Sequence, residues 1–134
     1  CRPVPAGAFE RYTARPVRSL DDYQKMVSIR AAVFMAEQAC PYEEEFDGND
    51  LCATHFLVFE GTDAVGTLRM RWFAGFAKLE RVVLLRGQRG RPALQVMLAE
   101  AFEYATRKGY SRASGFRISN ISKSRFPCRN TRVR

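Results

Sequence analysis

Between an apolar run and an amphipathic one stands Arg86-Gly87-Gln88-Arg89-Gly90-Arg91, a segment whose residue types suit an anion. Successive backbone N–H groups that open onto a helix N-terminus cradle phosphate, and the helix dipole adds to the attraction. Gly87 and Gly90 permit conformations that a side chain would obstruct, while Arg86, Arg89 and Arg91 bring charge for several phosphates. A solvated loop is the competing reading of the same composition. Just upstream, Glu80 sits in the apolar run Leu79–Leu85. A carboxylate there is expected to have a raised pKa, as a base near neutrality requires; the alternatives are a salt bridge with Arg81 or a place on the strand's wet face. His55, the single histidine, suits a general base or a hydrogen-bonded structural residue. Glu45, Asp47 and Asp50 flank Gly48 and suit either a grip on a cationic amine or loop capping by Asx turns. Arg30 and Phe34 share a helix face, and Arg30 is expected to pair with the acidic loop.

The elements that must position these residues follow from periodicity. Ser19 precedes Leu20-Asp21-Asp22 with the spacing of a capping box. Met26, Ile29, Val33 and Ala36 recur every third or fourth residue, so a helix is predicted from about Leu20 to Glu37. Cys40-Pro41 stops it, because the residue before proline avoids helical geometry. The acidic, turn-rich stretch Glu43–Asp50 follows. Thr54–Phe59 and Ala64–Phe73 read as a hairpin across the four-residue loop Glu60-Gly61-Thr62-Asp63. Trp72 and Phe73 fit core or a pocket wall, and Leu79–Leu85 is a buried strand. Leu94, Met97, Leu98, Ala101, Phe102 and Ala105 keep helical spacing up to Arg107-Lys108-Gly109, a cationic last turn with a glycine stop. Tyr110–Ile118 is expected to add one more strand.

Charge and cysteine usage narrow the function classes. The net charge is +8, but residues 1–103 carry 13 Lys/Arg against 14 Asp/Glu, and residues 104–134 carry nine Lys/Arg and no acid. The excess therefore lies at the C-terminal end, which limits nucleic-acid binding to a nonspecific contact through that tail. Cys1, Cys40, Cys52 and Cys128 form no CxxC pair, so no zinc site is expected. No stretch approaches the roughly 20 apolar residues of a membrane helix, and the N-terminal segment lacks the h-region of an export signal. A cytoplasmic protein with reduced thiols is expected, as one domain over residues 1–118 with a basic tail at 119–134.

Two blocks resemble a known family. Leu79-Glu80-Arg81-Val82-Val83-Leu84-Leu85, followed by Arg89-Gly90 and a long amphipathic helix, is similar to the central motif of the GNAT superfamily of acyl-CoA N-acyltransferases. Arg30-x-x-x-Phe34, Glu37-Gln38-x-Cys40-Pro41-Tyr42, Glu45-x-Asp47-Gly48-x-Asp50 and His55 closely resemble the first helix and following loop of a bacterial subfamily, and the likeness spans about Ser19 to Ser114. It implies an α/β fold: a mixed, mostly antiparallel sheet flanked by helices, here with a shortened C-terminal part. It implies acetyl-CoA or another acyl-CoA as cofactor, held by the backbone of Val82, Val83 and Leu84 and by a pyrophosphate turn of Arg86 to Arg91 with Ala93. Glu80 stands where several members carry their base, with His55 as a second candidate, and a backbone N–H near Val83 would polarise the thioester. Arg30, Phe34, Glu45, Asp47 and Asp50 are the candidate acceptor residues.

The family's usual Arg-Gly-x-Gly-x-Gly/Ala becomes Arg89-Gly90 with Pro92 and Leu94 at the later small positions; a second register uses Gly87, Gly90 and Ala93. Asn120 stands about where the family opens a further helix. Phe126 falls near the place of the tyrosine that protonates the leaving thiolate. The leading expectation is transfer of an acetyl group to a primary amine of a small molecule or protein. An acyl-homoserine-lactone synthase-like enzyme and a non-catalytic coenzyme A-binding domain are the alternatives, and a homodimer through a sheet edge is a further expectation.

Overall fold

The computed structural model describes the backbone of residues 8–88, 92–114 and 116–117. Arg89, Gly90 and Arg91 of the predicted turn, Asn120, Phe126 and the basic tail 119–134 lie outside the described residues.

The sheet runs in the order β1 (Tyr12–Pro16), β2 (Thr54–Glu60), β3 (Asp63–Phe73), β4 (Phe76–Leu84), β5 (Arg112–Ala113) and β6 (Phe116–Arg117). All neighbours are antiparallel except β4 and β5, which run parallel. This is the mixed, mostly antiparallel sheet expected. Helix α1 (Leu20–Arg30) covers one face and helix α3 (Ala93–Arg107) the other, with the short helix α2 (Tyr42–Glu45) in the connection to β2. Two cores result. Met26, Ile29 and Val33 pack on Leu57, Phe59 and Val83; Met97, Ala101, Phe102 and Ala105 pack on Phe56, Val58, Leu68, Met70 and Leu84. Alternating residues of β2, β3 and β4 thus face opposite cores.

Local chemistry explains most boundaries. Ser19 caps α1 by accepting the Asp22 N–H at 3.1 Å. The predicted helical span is occupied to Glu37, but from Ala31 onward it widens into a π-helical stretch, with Gln38 N–H on Val33 O at 3.2 Å. Such widenings recur at functional sites. The β2–β3 loop is tighter than predicted. Glu60 pairs with Asp63, leaving Gly61-Thr62 as a two-residue turn, because Gly61 takes φ +61° without a Cβ penalty. The single strand predicted over Tyr110–Ile118 is instead a pair of two-residue strands: Ser114 adopts φ +50° and turns the chain between them.

Candidate functional site

Strand β4 changes character at its middle. Arg69 of β3 pairs with Glu80 and Thr67 pairs with Val83, so Arg81 and Val82 together stand opposite Leu68 as a bulge. Arg81 takes φ +52°, a left-handed conformation costly for a residue with a Cβ. On the outer side, β5 pairs with β4 at Ala77–Ala113. Ser114 finishes the contact, its N–H donating to Ala77 O at 2.7 Å and its Oγ accepting from Leu79 N at 2.8 Å. Among the described residues no strand pairs with that edge from Glu80 to Leu84. Leu85 donates to Val65 O at 2.9 Å, so the alternation of an antiparallel ladder turns Val83 toward its partner Thr67 and the N–H and C=O of Leu84 to the open edge.

Beside this edge lies a groove of about 220 Å³ lined by Val33, Gln38, Val82, Val83, Leu84 and Leu94. Its walls come from three elements: the widened end of α1, the bulged strand and the first turn of α3. Gln38 is its polar side chain. Leu94, which the register aligned on Arg89-Gly90 sets at a small position of the family pattern, forms part of the wall. In the turn that follows, Gly87 faces open space, with nothing within 4 Å of where a Cβ would stand. Arg86 is exposed, 3.9 Å from Glu37. Gln88 is occupied structurally, its Oε1 accepting from the Tyr12 hydroxyl at 3.0 Å. Ala93 is fully buried in the core under α3, so its smallness serves packing, not the approach of a ligand as the second register required.

The reactive-looking side chains assemble on the other half of β4, in a closed network. Arg30, 0% exposed, donates to Glu45 at 2.6 Å and to Asp50 at 2.5 Å. Arg69 donates to Asp47 at 2.9 Å, to Asp50 at 3.1 Å and to Glu80. Arg71 and Lys78 reach the second Glu80 oxygen at 3.2 and 3.0 Å. Burial alone would raise the Glu80 pKa, but hydrogen bonds from Arg69, Lys78 and Arg71 outweigh it and hold the carboxyl at about 2. The raised pKa expected from the sequence is therefore overturned, and so is the Arg81 pairing: the partner of Glu80 is Arg69, directly across the ladder. A carboxylate held this far down takes up no proton near neutrality.

Asp47 is likewise held well below the usual carboxylate range, mainly by its hydrogen bond with Arg69. Its Oδ1 also accepts from Asn49 N at 3.1 Å, the Asx turn that was the alternative reading. The pairing of Arg30 with the acidic loop is as expected, but it leaves Arg30, Glu45 and Asp50 engaged with each other and inaccessible to an acceptor. Phe34 packs against the α1 core. His55 is 5% exposed, its Nε2 3.0 Å from Asp50 O; burial pushes its pKa down, so it is a neutral structural imidazole. Arg69, the hub of the network, was not singled out from sequence, although an arginine inside the apolar strand Gly66–Met70 demands a buried carboxylate.

No protein-family model matches the chain. Bacillus subtilis proteins do match it, two of them named as acetyltransferases. One, named as an acetyltransferase, is 31% identical over 114 residues, covering 76% of this chain and 77% of the relative. YjcF, named as an N-acetyltransferase, is 36% identical over 99 residues, covering 74% and 68%. The chain belongs to the GNAT superfamily of acyl-CoA N-acyltransferases. Membership makes it an acyltransferase. Solved structures share the GNAT fold: a Lactobacillus plantarum protein named as an N-acetyltransferase superposes with a TM-score of 0.71 at 24% identity, over 76% of this chain and 72% of that one. The aminoglycoside acetyltransferase AAC(6')-Iy, in complex with a coenzyme A-linked bisubstrate analogue, reaches 0.61 at 14% identity over 77% of each chain. Within this GNAT domain, the open half of β4 and the charge-locked half meet at the Arg81 bulge. Among its described residues no helix is long and apolar enough to cross a membrane.

Proposed function

We propose that this domain moves an acetyl group from acetyl-CoA, or a comparable acyl group from its coenzyme A thioester, to a primary amine of a small molecule or a protein. The observation that carries the reading is the unpaired outer edge of β4 beside the groove. An unpaired strand edge is a row of N–H and C=O groups without partners, and the amide-bearing pantetheine arm supplies partners of the same spacing. The outward peptide groups of the Val82–Leu84 edge, those of Leu84 among them, would take that arm, with Val83 turned to Thr67, while Arg86, Gly87 and the Arg89–Arg91 segment would meet the pyrophosphate. The bound analogue of AAC(6')-Iy, a coenzyme A joined to an amine acceptor, supports the same pairing of substrates here.

Aminolysis of a thioester needs a neutral nitrogen and a donor on the carbonyl oxygen. The open-edge N–H groups of β4 supply the donor. Glu80 remains ionised and His55 is buried outside the groove, so the acceptor nitrogen loses its proton to water and attacks in its neutral form. The attack forms the C–N bond, the C–S bond breaks, and the proton that the nitrogen then sheds passes through water to the thiolate, so coenzyme A leaves as its thiol.

Thermal unfolding with acetyl-CoA and with coenzyme A tests the reading, followed by thiol release against an amine panel. Both ligands are expected to raise Tm, and at least one amine to release thiol. No shift at millimolar ligand overturns the proposal, and stabilisation without turnover on any amine would mark a binding domain instead.

A further inference from the structure

The bulge of β4 has an unusual keeper. Left-handed backbone at a residue with a Cβ persists only where its surroundings over-determine it. At φ +52°, Arg81 meets that condition through its own side chain. The guanidinium reaches across to the α2 loop, Nη2 donating to Glu44 O at 3.1 Å and lying 3.5 Å from Asp47 Oδ2. Its Nε stands 3.2 Å from Glu45 Oε2, an ion pair without hydrogen-bond alignment. Glu45 is itself 2% exposed and anchored by Arg30, so the anchor point is rigid. One residue on, Val82 begins the half of β4 that lines the groove.

We infer that Arg81 is a positioning residue: its clamp on the Glu44–Asp47 segment holds the β4 bulge in the left-handed conformation that presents the Val82–Leu84 backbone to acyl-CoA. The inference rests on the proposed cofactor reading. The acidic loop does not grip the acceptor; it acts on the cofactor strand through Arg81. Loss of the side chain alone frees the bulge to relax into ordinary extended geometry, which shifts the register of everything beyond it.

Glycine separates this role from a general contribution to folding, because it adopts positive φ without the clamp. Arg81→Ala and Arg81→Gly are compared with wild type for coenzyme A affinity, for KM of acetyl-CoA against kcat, and for exchange of the Val83 amide, which faces β3 inside the ladder. Arg81→Ala is expected to weaken coenzyme A and raise the acetyl-CoA KM roughly tenfold, the factor set by the left-handed cost of a Cβ, and to speed Val83 exchange. Arg81→Gly, which loses the same ion pairs, is expected to recover most of both. Equal losses in the two variants, or none in either, overturn the clamp. Amide exchange needs no ligand, so it decides the clamp even if wild-type protein ignores coenzyme A. That last result overturns the cofactor reading, and with it the stated purpose of the clamp.

Discussion

The two halves of β4 lie on the same strand and face opposite demands. Before the bulge, Glu80 is enclosed by Arg69, Arg71 and Lys78, each within ion-pair distance, and Glu45, Asp47 and Asp50 of the loop beyond it are engaged by Arg30, Arg69 and Arg81. After the bulge, Val82 to Leu84 bring no charge, and their outer edge pairs with no described strand. Charge removed from water must be matched or it is lost, so the half rich in ionisable groups is also the half in which those groups have least freedom to react. The open half offers only peptide groups, yet these keep their donors and acceptors free for a ligand. Reactive residue types and available chemistry are thus divided between the two halves.

Removing the hub of the closed half is expected to have the largest effect. Arg69→Met deletes a guanidinium that is 1% exposed and leaves Asp47, Asp50 and Glu80 short of a partner. The expected loss is about 3–5 kcal/mol of stability by urea unfolding. A loss under about 1 kcal/mol, the range of exposed pairs, would show that the network is not closed and would erase the contrast between the halves.

Glu80→Gln is expected to act next in size, about 1.5–3 kcal/mol at neutral pH, the worth of hydrogen bonds to a charged group. Its signature is the pH dependence. The carboxyl titrates at about 2 in the folded protein, below its ordinary 4.5. Its contribution is therefore complete above pH 4.5 and is lost as pH falls from there toward 2. Glu80→Gln removes that part of the acid destabilisation and shallows the stability curve over this window. Turnover should separate cleanly from stability. If Glu80 is not the base, the pH profile of kcat/KM keeps its shape in the variant and tracks the acceptor amine. A profile that loses an ionisation restores Glu80 to catalysis and breaks the comparison.

What was legible in the sequence was whatever neighbouring residues decide. The Ser19 cap, the stripe Met97–Ala101–Phe102–Ala105 and the β2–β3 hairpin follow from spacing and turn residues within a few positions, whereas the mixed sheet is what the family resemblance implies. The partner of Glu80 does not, because it depends on register. Adjacent residues of a strand point to opposite faces, so Arg81 was a poor partner, and only the cross-strand alignment brings Arg69 to Glu80. The π-helical widening after Arg30 has no side-chain signature. Nor has an open strand edge, since any residues can carry free peptide groups. Sequence reasoning drew its catalytic candidates from side chains and so placed them in the closed half. The cofactor role proposed for β4 is legible only through the resemblance of its pattern to a family.

The smallest expected effect tests whether the open half works through its backbone. Val82 is 37% exposed and lines the groove. Val82→Thr keeps the β-branched shape and the extended preference, exchanging one methyl for a hydroxyl that water can satisfy. Stability is expected to stay within about 0.5 kcal/mol, the range of surface changes away from special features. If peptide groups make the contacts, the acetyl-CoA KM should move less than roughly twofold, under about 0.4 kcal/mol on the affinity scale. A tenfold rise would mean that the Val82 side chain itself seats the ligand. The open half would then depend on side-chain chemistry as the closed half does, and its missing charge would count for less than its shape.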